Sequence, residues 1–414
     1  MSVPTVLHPF AAPGRQAEDF LEIVRAEGSR LWAADGRSYL DGTASLWYCA
    51  AGHGRRAIVD AVAKQMAELD AYHTFGRFTN RPQQELADAL VALGPVPDAR
   101  VLFASGGSEA VDGALKLARI AHKAAGEGGR SVILGRRYSY HGVMFGGMSA
   151  GGLPDNRQSF GPLLPDVHQV DRDSLQAMRD AVAYHGPERI AAIIAEPVIG
   201  AGGVFPPPAG YLAGLRELCD EAGALLIFDE VITGFGRLGS WFGAEHYGVV
   251  PDLLTFAKAV TSGYLPLGGV LVGTAVRARL EADPSLLLAH GTTYAGHPSC
   301  CAAGLANLKI LADEDLPRRA GPAGARLRAG LDTLAGRPGV PEIRGEGLMQ
   351  AVAVEAPLAA ADVAEAVLAR GVVCRAIPYA NAVALSPPLI ITDEEIDELV
   401  DAFGAALADA QVST

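Results

Sequence analysis

Six short apolar runs, separated by stretches of helical periodicity, do most to limit what this chain can fold into. They are "RVLFAS" (100–105), "SVILG" (131–135), "IAAIIAEP" (190–197), "ALLIFDEV" (224–231), "DLLTFAK" (252–258) and "GGVLVG" (268–273). A strand that is apolar at nearly every position has neither face to give to water. Such runs belong in a mostly parallel sheet covered by helices on both faces. Between them, "SEAVDGALKLARIAHKAA" (108–125) repeats Ala110, Ala114, Leu117, Ala118 and Ala121 at helical spacing. "PPAGYLAGLRELCDEAG" (207–223) reads as a crossover helix, with prolines at its start and Gly223 at its stop. The expected fold class is α/β.

The two ends read differently. Residues 1–57 hold short segments and turns such as "AADGRSYLDG" (33–42). From about 315 the chain is alanine-rich and helical, then alternates through "VPEIRGEGLMQAVAVE" (340–355), "VVCRAI" (372–377) and "AVALSPP" (382–388). It closes on "TDEEIDELVDAFGAALADA" (392–410), where Thr392 as N-cap and Glu395 three residues on form a capping box. The expectation is a large domain over 58–314 and a smaller α+β domain built from 1–57 and 315–414.

Half of the 414 residues are hydrophobic, enough for a large core. Lysine and arginine number 34 against 47 acidic residues, a formal charge of −13. That balance argues against nucleic acid or an anionic membrane as partner, while leaving room for a local anion site. The five cysteines are odd in number, Cys300 and Cys301 are adjacent, and no C-x-x-C occurs. Neither a disulfide framework nor a metal site is expected. The N-terminus lacks a basic region followed by an apolar one, and no apolar run reaches the roughly 18–20 residues that span a bilayer. A soluble cytoplasmic protein is expected.

Three stretches carry chemistry-bearing residues. In "FASGGSEAVDG" (103–113) a strand ends, a small-residue turn follows and a helix begins. Free backbone N–H groups and the helix dipole suit that junction to a phosphate, with Gly106 and Gly107 allowing close approach and Ser108 adding a hydroxyl. An ordinary strand-to-helix turn with Ser108 as N-cap accounts for the same residues. Neither G-x-G-x-x-G nor the Walker ending is present, so a dinucleotide or nucleoside triphosphate is not indicated. In "LLIFDEVITGFGR" (225–237), Asp229 and Glu230 close a buried strand, at the edge where open α/β sheets bind ligands. An ion pair within the fold would explain them equally well. Val231 shares the side of Asp229 if extended geometry continues.

The third stretch, "LLTFAKAVTSGYLPLG" (253–268), sets Lys258 among apolar and small residues. A buried unpaired ammonium costs several kcal/mol, so it finds a partner, loses its proton or reacts. A desolvated lysine is a good Schiff-base nucleophile; a snorkelling surface lysine is the plainer alternative. Phosphate cradle, strand-end aspartate and strand-end lysine together are the parts needed to hold pyridoxal 5′-phosphate.

With these residues in view the chain resembles the class III (ω-type) pyridoxal-phosphate aminotransferases of fold type I. The matching strings are "SGGSEAVDGALKLAR" (105–119), "YHG" (140–142), "AEPVIGAGGV" (195–204), "FDEVITGFGR" (228–237), "FAKAVTSGYLPLG" (256–268), "GTTYAGHPSCCAAGLA" (291–306) and "SPPLIIT" (386–392). They fall in the family's order over almost the whole chain, and the resemblance implies that the large-domain sheet is of the seven-stranded type. The resemblance implies that Lys258 forms the Schiff base and shuttles a proton, and that Asp229 pairs with the pyridinium nitrogen. It implies Val231 and Tyr140 on the two ring faces, Gly107 and Ser108 at the phosphate, and Glu196 and His141 ordering the site. Thr293 would reach the phosphate of a neighbouring subunit's cofactor, which implies a homodimer with shared sites and leaves a tetramer open. On the substrate side it implies Trp47 over the substrate with Tyr48 close by, Phe75 lent to the partner's pocket, and Arg375 binding a substrate carboxylate.

Two departures bear on the subgroup. Ornithine and γ-aminobutyrate aminotransferases carry a glutamate where Ala201 stands, and many relatives carry glutamine where Ile199 stands. Without that glutamate, Arg375 must swing away to admit uncharged amines, a pattern similar to the pyruvate-dependent ω-transaminases. The function expected is ping-pong transfer from a primary amine or ω-amino acid to a 2-oxo acid, pyruvate first. An aminomutase, a decarboxylase of the same fold and a 2-oxoglutarate-dependent aminotransferase are the alternatives. A catalytically silent cofactor-binding protein would be expected to lack Lys258 or Asp229, and a nicotinamide dehydrogenase would need the Rossmann fingerprint.

Overall fold

A computed structural model describes residues 4–412. Its centre is a seven-stranded sheet of β1 (Arg100–Ala104), β2 (Val132–Arg136), β3 (Val167–Val170), β4 (Ile190–Ala195), β5 (Leu225–Asp229), β6 (Leu253–Phe256) and β7 (Gly268–Val272). The spatial order is β1-β7-β6-β5-β4-β2-β3. β7 runs antiparallel to both neighbours; every other pair is parallel. Six strands therefore point the same way and end on one edge of the sheet.

Every residue of β2, β4, β5, β6 and β7 is buried, which is what continuous apolar runs require. Successive side chains go to opposite faces: Leu226 and Phe228 join one core, Leu225 and Ile227 the other. Helix Gly107–Ala124 seals the second face with Ala110, Ala114, Leu117, Ala118 and Ala121. Helix Tyr211–Ala222 seals the first with Tyr211, Leu212 and Leu215. It starts after Gly210, so the prolines at 206–208 precede the helix rather than open it, and Gly223 stops it at φ 67°.

Six of these strands coincide with the six apolar runs. The seventh, β3, is a four-residue edge strand whose middle, His168 and Gln169, is polar and not buried, so it carries no apolar signature. Two four-stranded sheets flank the large one. Ile23–Glu27, Arg30–Ala33 and Ser38–Asp41 form one, completed by Val372–Val373 lying parallel to Ser38–Asp41. The second orders Glu342–Glu346, Met349–Ala353, Ala382–Leu385 and Arg375–Ile377. The C-terminal helix Asp393–Val412 carries its capping box: Glu395 N donates to Thr392 Oγ1 at 3.2 Å and Thr392 N to Glu395 Oε2 at 3.1 Å. Among the described residues no helix is long and apolar enough to cross a membrane.

Candidate active site

The edge where six strands end is where the chemistry-bearing residues gather. A cleft of about 400 Å³ opens there, lined among others by Gly107, Ser108, Tyr140, Asp229, Val231 and Lys258. They are contributed by the turns after β1, β2, β5 and β6, which topology brings side by side.

At one end of the cleft, helix Gly107–Ala124 begins at Gly106 with no side chain capping it, so its first N–H groups are free for an anion. Ser108 is not the N-cap. Its Oγ accepts from Val143 N at 3.2 Å, which leaves the hydroxyl proton available to a ligand. Glu109 would repel an anion in this first turn. It reaches back instead, accepting from Ser105 N at 2.7 Å. A Cβ on Gly107 would stand 2.8 Å from Val231 Cγ1, so only glycine lets helix and valine close together here.

In the middle, Asp229 ends β5 with both oxygens engaged. Oδ2 meets His141 Nδ1 at 2.7 Å; Oδ1 accepts from the Thr255 hydroxyl at 3.1 Å and from Val231 N at 3.1 Å. These contacts fix the orientation of the buried carboxylate. Val231 lies in a turn rather than in the extended geometry expected, because the chain bends straight after Asp229; it still lines the cleft. Glu230 points elsewhere. It is buried and accepts from the Thr233 hydroxyl and the backbone N of Gly243 and Ala244, with burial pushing its carboxyl up to about 7. It holds the fold together rather than facing the cleft.

Glu196 also lines the cleft and orders its floor. Its Oε1 accepts from Tyr140 N at 2.9 Å and its Oε2 from Gly200 N at 2.8 Å, tying the two loops. Burial pushes its carboxyl up.

Lys258 lies two residues past the end of β6 and opens a 3-10 turn at φ 50°. Such a backbone costs a non-glycine residue about 1–2 kcal/mol and needs support. Buried Asn307 gives it: Nδ2 donates to the Ala259 and Val260 carbonyls at 2.8 and 3.0 Å, and Oδ1 accepts from the Ser262 hydroxyl at 2.7 Å. The Lys258 amine has no hydrogen-bond or ion-pair partner among the described residues. Desolvation pushes it down to about 8, opposed by the charges of Asp229 and Glu196.

A second cavity of about 490 Å³ shares Tyr140, Ile232 and Lys258 with the cleft, and Trp47, Ala201 and Arg375 line it too. Trp47 is 2% exposed and packed into the core, so it forms a fixed wall. Tyr48 lies instead over Gly263 in the first cleft. Arg375 heads the short strand Arg375–Ile377 and has no ion pair or side-chain hydrogen bond among the described residues. The Ala201 carbonyl accepts from the Tyr379 hydroxyl at 2.5 Å.

Two expected residues do not join either cavity. Phe75 is 49% exposed, and Thr293 is exposed on its loop. Their segments are bound together: the Thr74 hydroxyl donates to Ala295 O at 2.9 Å and Asn80 Nδ2 to Gly296 O at 2.9 Å. Sequence reasoning missed Thr255, whose partner is visible only once Asp229 and Thr255 are paired in the ladder.

An aldehyde to be trapped by an amine, a ring nitrogen to be held by an acid and a phosphate to be cradled by backbone N–H groups occur together in pyridoxal 5′-phosphate. The cleft meets all three demands on a fold type I framework. The sequence model of the family described as Aminotransferase class-III matches residues 12–407. The chain belongs to the class III aminotransferases, which are pyridoxal-phosphate-dependent enzymes. It is 39% identical over 404 residues to an omega-aminotransferase of Caulobacter vibrioides, covering 91% of each chain. It is 38% identical over 367 residues to a beta-alanine–pyruvate aminotransferase of Pseudomonas aeruginosa, covering 84% of this chain and 82% of that one. Among solved structures, an amine transaminase from an uncultivated Pseudomonas species in its PLP-bound form superposes with a TM-score of 0.94 at 39% identity, with 99% of each chain covered.

Proposed function

We propose that this enzyme moves an amino group from a primary amine or ω-amino acid to pyruvate, by a ping-pong route through a Lys258 Schiff base. In net terms R–CH2–NH3+ and R′–CO–COO− become R–CHO and R′–CH(NH3+)–COO−. The observation that carries the reading is the pairing of an unpartnered Lys258 amine with an unpartnered Arg375 guanidinium on one cavity.

When bound, the cofactor supplies an electron sink for the carbanion formed at substrate Cα. The chain's own residues do the rest. Lys258 would hold the cofactor's aldehyde and serve as the base that takes the substrate Cα proton and returns it; a positioned base of this kind is worth about 10²–10⁴ in rate. Asp229, held in place by its hydrogen-bond partners, would face the ring nitrogen and favour its protonated form. Gly107 and Ser108 would bind its phosphate, while Val231 and Tyr140 would confine its ring. His141 and Glu196 hold Asp229 and Tyr140 in position. Trp47 limits substrate size, and Arg375 takes the carboxylate of the oxo acid bidentately.

Pyruvate as acceptor is supported by Ala201, which sets no carboxylate against Arg375, and by the beta-alanine–pyruvate relative. A homodimer with shared sites is supported by the exposed joint segment carrying Phe75 and Thr293, neither of which lines the two cavities at Lys258. Boundaries near 57 and 314 and a cytoplasmic location complete the proposal. The test is a panel of donors and acceptors scored by cofactor absorbance in each half-reaction. Recovery of the starting spectrum with pyruvate faster than with 2-oxoglutarate is expected; the reverse order overturns the acceptor assignment.

A further inference from the structure

The second cavity holds one carboxylate that the reaction does not use. Asp155 lines it together with Lys258 and Arg375 and is the sole acidic residue on its wall. It is exposed and has no hydrogen bond or ion pair among the described residues, although a free guanidinium shares the cavity. Its position is nonetheless fixed. It follows Pro154, the first residue of the short helix Pro154–Gln158. The same helix is anchored by Arg157, whose Nη1 donates to the carbonyls of Met148, Ser149 and Gly151 at 3.1, 2.6 and 2.7 Å. Buried Leu153 secures the chain just before it. Much of the remaining wall, including Trp47, Leu46 and Ile377, is apolar.

We infer that Asp155 is a specificity residue that binds a second, non-reacting cationic group of the amine donor. The inference rests on the aminotransferase reading above and sharpens its substrate class to diamines and other amines with a distal cation. The reacting amine enters at Lys258, the methylene chain lies along Trp47 and Leu46, and the distal ammonium reaches the Asp155 carboxylate. An exposed carboxylate in a cavity whose other charged lining residues, Lys258 and Arg375, are basic also orients such a donor, since its two ends then meet unlike surroundings. The oxo acid uses Arg375, so the two half-reactions draw on different charged residues.

The test compares straight-chain α,ω-diamines of four to eight carbons with monoamines of equal length, using the holoenzyme and its Asp155→Asn and Asp155→Leu variants. For wild type, kcat/KM with the best diamine is expected to exceed that of its monoamine. Asp155→Asn lowers the diamine value roughly tenfold, as expected for one charge-assisted contact in a partly wet cleft. Monoamine turnover and the KM for the oxo acid stay within about twofold. Asp155→Leu favours monoamines outright. The diamine advantage in wild type shrinks with added salt. Equal losses with both donor classes, no loss with diamines, or a change confined to the oxo acid would each overturn the inference. Wild type that converts neither donor class would instead bring down the underlying aminotransferase reading, and this inference with it.

Discussion

His141 Nδ1 lies 2.7 Å from Asp229 Oδ2, and both groups are buried. The pair joins the turn after β2 to the end of β5, and Thr255 on β6 completes a three-strand clasp around one carboxylate. An acid so held is ready to meet a cationic ring nitrogen without reorganising, which is where electrostatic catalysis gains most.

Removing part of that clasp should loosen the cofactor before it slows chemistry. His141→Ala is expected to weaken pyridoxal phosphate retention by about tenfold, the worth of one buried charge-assisted hydrogen bond. Asp229→Ala should cost more than 10²-fold in the amine half-reaction, since the electron sink loses its counter-charge. Cofactor dissociation by dialysis and single-turnover absorbance measure the two effects. Equal behaviour of both variants would mean that the clasp has no separate role.

Lys258 provides a pH prediction. The neutral amine is the nucleophile, and desolvation pushes it from 10.5 down to about 8. Below that value the amine is protonated and inert. The second-order rate of apoenzyme combining with pyridoxal phosphate should therefore rise about tenfold per pH unit below 8 and flatten above it. A rate that keeps climbing to pH 10 would show a solvated lysine.

The legible part of this fold was the part in which one chain segment carries its own signal. β2, β4, β5, β6 and β7 are buried throughout and mostly apolar, and announce themselves; β3, short and polar at His168 and Gln169, does not. Lys258 and Asp229 stood out because each is a charge closing an apolar run. Thr255 did not, because a threonine in a strand is ordinary, and its bond to Asp229 depends on the pairing of β5 with β6. The bend after Asp229 was likewise hidden, and with it the true setting of Val231. Asp155 sits in a loop-rich stretch with no periodicity, so its share in the substrate cavity emerges only from the tertiary structure.

Arg375 should separate the two halves of the cycle. Arg375→Leu keeps the apolar stem and removes the charge. It is expected to raise the KM for pyruvate by about 10- to 100-fold while leaving an uncharged monoamine within threefold. Separate half-reaction kinetics decide it; parallel losses would remove Arg375 from carboxylate binding.

Shared sites predict complementation between subunits. Lys258→Ala and Thr293→Asp should each be nearly inactive alone. Refolded or co-expressed together, they form hybrid dimers with one site that has both native residues, so activity should return. Mixtures no more active than the parents would show that each chain builds its site alone.

The central claim is a covalent bond at residue 258. Borohydride reduction of the holoenzyme followed by peptide mass spectrometry tests it directly. The account predicts a phosphopyridoxyl group on Lys258 alone, absent from Lys258→Ala. A stable adduct on any other lysine, with 258 unmodified, would contradict it.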